Sequence, residues 1–419
     1  MYKYLLISVL TVCVLAWQLS AGPLTLGEEI DLVKGTQPMC VLDKDNNLHV
    51  VFVDGGVKYM MVAPEGDMSD AFTLSTEGDN PYMTVDVKGN IHVVWDTSKK
   101  SFYRKRADST WEATIELPTP RSDRHWFAQV AADKDGVAFW SLWGIDGGSK
   151  ANASYFGWID GTQAKDLHNS GENRPPSLLG PTSRDSGDGN VYAFPGNGQP
   201  AIKIMTTTGL SEYKAMDLFN TKTGEGYCPF WVSNKPAIVF NDIDGSSVFS
   251  ITYNFLPDNQ GYELKGSISE HHGFPRGAWD ASNDIVYALW QEGGTGYYTT
   301  FDYGTKQVSE IKNLGTVTAA ARGCGAGGIA YTGNGGVYIV YSKSDNLKRL
   351  TLGDFDSITS TNYHNPVFES AAKSNQMRIY GLDGKLLMNT DLYRKFYSED
   401  ARGTSRITEG NRKYILIYE

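Results

Sequence analysis

The chain has 419 residues with 45 glycines, 24 tyrosines and 10 tryptophans, and its formal net charge is −10 at pH 7. Its apolar content of 41% supplies a sizeable core, and long helical periodicities are absent from the pattern. The acidic balance excludes nucleic acid and anionic membranes as favoured partners, because both would repel the protein.

The first 21 residues are typical of a secretory signal. Lys3 is their sole charge, an apolar run spans 5–17, and small residues precede Gly22 at a cleavage site. We therefore predict a signal peptide at 1–21 and one secreted or periplasmic β-propeller domain at 22–419, with no membrane association after signal removal. A retained anchor is the alternative, although the apolar run is short for a membrane span.

The clearest strand pattern lies at 81–106, PYMTVDVKGNIHVVWDTSKKSFYRKR. Ile91, Val93 and Trp95 alternate onto one face of a strand, and a glycine allows the tight turn before it. A further strand is predicted at 111–117. Together these segments predict one four-stranded antiparallel sheet.

Similar stretches recur along the chain at intervals of roughly 42–53 residues, the size of one propeller blade. Because a lone sheet leaves both faces exposed, neighbouring sheets must stack, and closing the stack into a ring leaves few free edges. We therefore predict an all-β fold, a single β-propeller of seven four-stranded antiparallel blades, or eight if the weak C-terminal copy is complete. Separate sandwich domains are the alternative. The copies begin at or near Pro38, Pro81, His125, Arg174, Tyr227, Phe274, Gly323 and, weakly, Pro366.

Two terminal segments are further predicted strands. LTLGEEIDLV at 24–33 is predicted as an outer strand that can close the ring with C-terminal strands, and KYILIY at 413–418 is a late strand. The pattern leaves open how the ring shares these two segments.

Residues that recur at one position of the repeat are interpreted as architectural. His49 in NLHVVF and His92 in NIHVVW are equivalent. Trp95, Trp140 and Trp290 recur near the end of the second strand of their blades. We expect all five side chains to pack within or between blades rather than bind a ligand.

Residues just ahead of the innermost strands should converge on one face, since these strands begin together around a central channel. They are rich in Arg, His and Tyr, which suits β-elimination from a uronic acid: Arg neutralises the carboxylate, and His or Tyr moves the proton. The alternative is that these Arg side chains pair with loop carboxylates such as Asp123 and Glu270. The predicted catalytic residues are His125, Tyr227 and His272, and the predicted substrate-binding residues are Arg124, Arg174, Arg276, Arg322, Asn80 and Tyr82.

A zinc site is an alternative use of the same face. Cys228, His271 and Cys324 come from consecutive blades, and Cys/His sets suit zinc. Their spacing is not a local motif, and buried free cysteines are commoner. We expect no required cofactor, with a structural divalent ion, zinc or calcium, as the alternative. The mature chain keeps Cys40, Cys228 and Cys324, so at most one disulfide can form.

The text VDVKGNIHVVWD followed by SFYRKRADSTW resembles the BNR-repeat secreted propellers, relatives of the Asp-box sialidases, and ADSTW is similar to a worn Asp-box. Within that group, blades two and three are most similar to the propeller polysaccharide lyases of the ulvan lyase and rhamnosyl-glucuronate lyase type. The resemblance implies a catalytic His pair in the second blade, where this chain has Asp79 or Asn80 and Ser98. It also implies a Tyr and an Arg near the third blade, where Phe127 and Trp143 stand. The family's catalytic set therefore does not carry over.

The sequence predicts a secreted, monomeric propeller that cleaves a uronate-containing anionic polysaccharide by β-elimination. One alternative is a sialidase- or rhamnosidase-like hydrolase, which would need two carboxylates about 5–9 Å apart. Another is a non-catalytic, lectin-like propeller. The loop acids that can supply a carboxylate are Asp96, Asp146, Asp242, Asp244 and Glu292.

Overall fold

The protein is described by a computed structural model, in two compact units, Met1–Asp354 and Phe355–Glu419. The part of the chain that it describes contains no helix, and hence none that is long and apolar enough to cross a membrane. The described residues are 26–118, 124–145, 152–169, 175–194, 201–215, 225–243, 249–255, 260–268, 275–318, 327–333, 335–353, 378–380, 386–389, 404–409 and 412–417.

The described residues of the first unit form seven antiparallel sheets, which we number as blades. The first described strand is β1 (Leu26–Lys34). Blade 1 contains β2 (Thr36–Leu42), β3 (Leu48–Val53), β4 (Val57–Val62) and β5 (Phe72–Ser75). Blade 2 contains β6 (Asp79–Val85), β7 (Ile91–Asp96), β8 (Ser101–Ala107), β9 (Thr110–Trp111) and β10 (Ile115–Glu116). Blade 3 contains β11 (Arg124–Ala132), β12 (Ala138–Ile145), β13 (Asn152–Asp160) and β14 (Gln163–Asn169).

The remaining blades follow the same strand order. Blade 4 contains β15 (Ser177–Leu179), β16 (Val191–Phe194), β17 (Ala201–Thr206) and β18 (Gly209–Ala215). Blade 5 contains β19 (Glu225–Val232), β20 (Lys235–Ile243), β21 (Phe249–Phe255) and β22 (Gln260–Ile268). Blade 6 contains β23 (Arg276–Asp280), β24 (Ile285–Glu292), β25 (Thr295–Asp302), β26 (Gln307–Val308) and β27 (Lys312–Thr316). Blade 7 contains β28 (Gly327–Tyr331), β29 (Val337–Lys343), β30 (Asn346–Leu352) and, at its outer edge, β1.

The seven described blades close into a ring. Each innermost strand contacts the innermost strands of its two neighbours, and the contact between β28 and β2 completes the cycle. β1 pairs antiparallel with β30, so the segment predicted as an outer, ring-closing strand completes the last blade of the ring. The predicted all-β fold of four-stranded antiparallel blades is confirmed.

The second unit contains two-stranded sheets in its described residues. β31 (Arg378–Tyr380) pairs with β32 (Leu386–Asn389), and β33 (Thr404–Glu409) pairs with β34 (Arg412–Ile417). The late strand predicted at 413–418 coincides with β34. The signal segment and Pro366, where the weak eighth copy was predicted to begin, lie outside the described residues.

The core of the ring lies between neighbouring blades. Both faces of a blade are covered, so its second strand reads as a nearly continuous apolar run rather than an alternating one. Trp95, Trp140 and Trp290 each have an exposed fraction of 1% or less. Their prediction as packing residues is confirmed.

A recurring Asp begins the turn between the first and second strands of a blade. In blade 2, Asp86 accepts hydrogen bonds from the backbone N–H groups of Lys88 and Asn90, at 2.9 and 2.8 Å, and from the Asn90 side chain at 2.8 Å. His92 Nε2 lies 3.2 Å from the same carboxylate, and its Nδ1 lies 2.8 Å from the hydroxyl of Tyr103. His92 therefore fastens the turn to the third strand.

Blade 1 repeats this arrangement. His49 lies 3.2 Å from Asp43 and 2.6 Å from the hydroxyl of Tyr59. Burial alone would raise the pKa of Asp43, but hydrogen bonds from His49 and Asn47 outweigh burial and hold that pKa below its usual range. The prediction that the two histidines are architectural is confirmed.

Candidate functional site

The innermost strands of all seven described blades surround a central channel. It is a cavity of about 740 Å³, within the range of about 300–1,000 Å³ typical of small-molecule sites. We call the end where these strands begin the upper end and the end where they finish the lower end. The upper end corresponds to the face on which the sequence places the candidate site.

A β-bulge shapes the start of four innermost strands, in blades 1, 2, 3 and 5. Three of these bulges hold a residue at positive φ: Gln37 at 52°, Asn80 at 47° and Phe127 at 63°. A bulge bends its strand and re-aims the side chains that follow it. The first paired residues after the four bulges are Met39, Tyr82, Gln129 and Cys228.

Three sequence-predicted residues meet at the upper end. Tyr82, Cys228 and Arg276 all line the channel. The Arg276 guanidinium carbon lies 5.9 Å from the centroid of the Tyr82 ring, a cation–π distance. Arg276 comes from blade 6 and Tyr82 from blade 2, so this contact spans non-neighbouring blades.

The chemistry of this contact follows from burial. Arg276 is only 4% exposed, so its positive charge lies inside the channel mouth rather than on the surface. Burial raises the pKa of Tyr82, the Cys228 thiol adds to the rise, and Arg276 opposes it. Because the net shift is upward, Tyr82 stays protonated at neutral pH. Its neutral hydroxyl can donate a hydrogen bond and does not act as a base at that pH.

Asn80 also lies at the upper end and is 5% exposed. Its backbone N–H donates to Gln37 Oε1 of blade 1 at 2.7 Å, and its side-chain amide donates to Asp79 at 3.2 Å. Both contacts fix the bulge of blade 2. Asn80 is therefore held rigidly beside the channel mouth.

Tyr227 occupies a different environment. Its side chain is 1% exposed and belongs to an apolar cluster between blades 4 and 5, where its ring lies 5.8 Å from that of Phe240. Its carbonyl oxygen accepts a hydrogen bond from Ser177 at 2.6 Å, and Ser177 in turn accepts one from Gln129 at 3.1 Å. These bonds link the innermost strands of blades 3, 4 and 5.

The other predicted site residues cannot be placed as side chains. Arg124 and His125 lie at the start of β11, where His125 pairs with Gly144, and only their backbone is described. The predicted residues that lie outside the described part of the chain are Arg174, His271, His272, Arg322 and Cys324.

The structure also shows what surrounds the positions at which the family resemblance implies catalytic residues. Asp79 faces Asp96 across the register of β6 and β7, and Ser98 is exposed in the following loop. The rings of Phe127 and Trp143 lie 5.9 Å apart.

Asp96 is a buried carboxylate rather than a solvated loop acid. It accepts hydrogen bonds from the Ser101 hydroxyl at 2.6 Å and from the backbone N–H of Ala128, in blade 3, at 3.2 Å. Burial raises the pKa of Asp96 to about 7, although these hydrogen bonds oppose the rise. Burial also raises the pKa of Asp79.

The lower end of the channel is crossed by Arg184, a residue that sequence reasoning missed. From the turn of blade 4, Arg184 Nε donates to the Asp43 carbonyl of blade 1 at 2.6 Å. Its Nη1 donates to the Tyr331 carbonyl of blade 7 at 3.3 Å, and its Nη2 contacts the side chain of Asn46. The only sequence signal was the longer turn before NVYAF in the fourth copy.

The described residues contain no group of three or more His, Cys, Asp or Glu side chains that could hold a metal ion. Of the predicted zinc set, Cys228 is a buried free cysteine whose sulfur accepts a hydrogen bond from the Gly277 N–H at 3.4 Å. Cys40 is also buried and free, and burial raises the pKa of its thiol to about 12.

No protein-family model matches the chain, and no curated protein matches it significantly. Solved structures do match its fold. The β-propeller domain of Cps50 (Swd1) from Myceliophteria thermophila aligns with a TM-score of 0.53 and 9% identity over 78% of this chain and 99% of that one. Hydrazine synthase of Kuenenia stuttgartiensis aligns with a TM-score of 0.52 and 11% identity over 77% and 97%. Oligogalacturonate lyase in complex with manganese aligns with a TM-score of 0.50 and 11% identity over 79% and 96%. At these identities the likeness shows the fold alone: the chain is a β-propeller.

Proposed function

We propose that this protein is a secreted, monomeric carbohydrate-active propeller that binds uronate units and cleaves their glycosidic bond by β-elimination. The observation that carries the proposal is the buried guanidinium of Arg276 at the channel mouth of an acidic protein. A planar guanidinium binds a carboxylate through two parallel hydrogen bonds, and a low-dielectric site strengthens them. The secretory signal predicted at 1–21 supports export, and an oligogalacturonate lyase shares the fold.

Each step of the proposed elimination is assigned to a residue. Arg276 neutralises the uronate carboxylate, which acidifies the proton on C5. His125 or His272 takes that proton, because imidazole titrates near neutral pH. The C4–O bond then breaks as the C4=C5 double bond forms, and the leaving oxygen takes up a proton. We assign this donor role to the Tyr82 hydroxyl because Tyr82 lines the channel mouth opposite Arg276.

Glycoside hydrolysis fits the described residues less well. It needs two carboxylates facing the same bond. Asp79 and Asp96 are paired in the register, but Asp96 is fully buried and its two oxygens already accept hydrogen bonds. No proton donor to a sugar can be assigned from that pair.

The test is incubation with uronate-containing polysaccharides, followed by the ultraviolet absorbance of the unsaturated product. We expect absorbance to rise with the wild-type protein. New reducing ends without absorbance would show a hydrolase, and binding without turnover would show a lectin-like propeller. Either result would overturn the lyase assignment.

Variants assign the roles. Arg276→Ala should weaken oligouronate binding by about 10- to 100-fold, as expected for a charge-assisted hydrogen-bonded pair. Lys312→Ala is the matched control, because Lys312 is an exposed cation that bonds Glu310 on the outer strand of blade 6, away from the channel lining. His125→Ala and His272→Ala should separate the candidate bases, one of them abolishing elimination while binding persists. Full activity in both variants, or unchanged binding by Arg276→Ala, would contradict the assigned site.

A further inference from the structure

We infer that the channel accepts the end of a short acidic oligosaccharide and excludes a continuous polysaccharide chain, and that Arg184 is the residue that sets this specificity. The inference rests on the proposed function, whose anion-binding group is Arg276. It adds which part of the substrate reaches that group. Two observations at opposite ends of the channel carry it.

The first observation is the depth of the anion-binding group. Arg276 is 4% exposed and reaches across the channel to the ring of Tyr82. A carboxylate can meet the guanidinium only by entering the channel mouth. The interior of a polysaccharide would have to enter the mouth and leave again, or pass through a second opening.

The second observation is that Arg184 obstructs the opposite opening. It contacts Asp43 and Asn46 of blade 1 and Tyr331 of blade 7, so one side chain joins three blades beneath the channel. Gly333 leaves room for it, since a Cβ at that position would lie 2.7 Å from Arg184 Nη1.

The turn that carries Arg184 is itself fastened. Thr182 accepts a hydrogen bond from the backbone N–H of Asp185 at 3.0 Å, and the Trp231 indole donates to the Gly180 carbonyl at 2.9 Å. Hydrogen bonds thus hold both the turn that carries Arg184 and its guanidinium group, so the side chain stays across the lower end of the channel. Arg184 therefore narrows the lower opening of the channel, and the cavity of about 740 Å³ suits a short oligosaccharide.

The experiment uses the mature protein and size-fractionated polygalacturonate at equal mass concentration, with binding followed by calorimetry. Equal masses of longer chains contain fewer ends. We expect the number of bound sites to fall in inverse proportion to mean chain length, and the preferred ligand to be a short oligomer. Binding that depends on mass alone, whatever the chain length, would overturn the inference. If no fraction binds, then the proposed function fails, and the inference fails with it for that separate reason.

A variant tests Arg184 directly. Arg184→Ala should open the lower end and reduce the dependence of binding on chain length, whereas Arg184→Lys should keep part of it. Lys134→Ala is the matched control, because Lys134 is an exposed cation on a lower turn and its side chain bonds Asp135. Circular dichroism and the retained binding of a short oligogalacturonate would show that each variant is folded. Unchanged length dependence in a folded Arg184→Ala would overturn the role of Arg184.

Discussion

The buried carboxylate of Asp96 links blades 2 and 3, and its titration is expected to make the stability of the protein depend on pH. It ends the second strand of blade 2 and accepts the N–H of Ala128, next to the bulge residue Phe127 of blade 3. The equivalent position in blade 5 is Asn241, a neutral group of the same shape. A neutral side chain is therefore compatible with this position of the ring.

Replacing Asp96 by Asn should flatten the pH dependence of stability. The pKa of Asp96 is raised from 3.8 to about 7 in the folded protein, so the folded state binds the proton more tightly than the unfolded chain. Stability from this group is full below about pH 4 and is lost as pH rises to about 7, with a slope of at most about 1.4 kcal/mol per pH unit.

The measurement is urea unfolding of wild type and Asp96→Asn between these pH values. The variant should gain stability relative to wild type toward neutral pH. If the free energy of unfolding depends on pH in the same way in both proteins, then folding does not raise the pKa of Asp96. Asp45→Asn, at an exposed acid, is the control that should follow wild type.

The turn between the first and second strands is the smallest repeating unit whose chemistry recurs. Asp86 satisfies two backbone N–H groups, the Asn90 amide and His92 at once. Asp43 accepts the corresponding hydrogen bonds in blade 1, and Asp133 accepts backbone N–H groups in blade 3. The repeated Asp thus stabilises the turn, and the His that follows in two blades ties that turn to the third strand.

Asp86→Ala should lower the free energy of unfolding by about 2–4 kcal/mol, because it leaves buried donors without an acceptor. Asp45→Ala, which removes an exposed acid beside Lys44, should change it by less than about 0.5 kcal/mol. Burial would raise the pKa of Asp86, but hydrogen bonds from His92 and Asn90 lower it overall. Its stabilisation should therefore persist above about pH 4 and decline as pH falls further. Equal effects of the two substitutions in thermal or urea unfolding would contradict this account.

Closure of the ring depends on its first described strand. β1 pairs with β30, the Ser342 hydroxyl donates to the Gly35 carbonyl at 2.9 Å, and the Gly35 N–H donates to Asp345 at 2.8 Å. Gly328 of blade 7 packs so closely on Cys40 of blade 1 that a Cβ there would lie 2.8 Å from the sulfur. Because β1 of blade 7 continues through Gly35 into β2 of blade 1, the two blades are joined by the chain itself and by packing.

Deleting 1–35 should lower the melting temperature markedly and promote self-association, because β30 would become an unpaired edge. Deleting only 1–25 retains β1 and is the matched control. Differential scanning calorimetry and size-exclusion chromatography check the two effects. An unchanged melting temperature after the longer deletion would show that β1 does not close the ring.

Local pattern was sufficient for the architecture of the propeller. Strand periodicity and turn residues act over a few residues, and the repeat interval spans one blade. These signals along the chain predicted the blades, the two architectural histidines and the outer position of β1. The same local signals could not assign the contact between Arg276 and Tyr82, the bulges that re-aim the channel side chains, or the burial of Asp96.

Arg184 is the clearest case of the difference. Its acceptors lie in blades 1 and 7, far away in sequence, and only closure of the ring brings them beneath the channel. The order of hydrophobic and turn residues determined that this chain forms stacked antiparallel blades. Ring closure determined which polar side chains meet inside the channel, because contacts across a channel depend on the position of every blade between them.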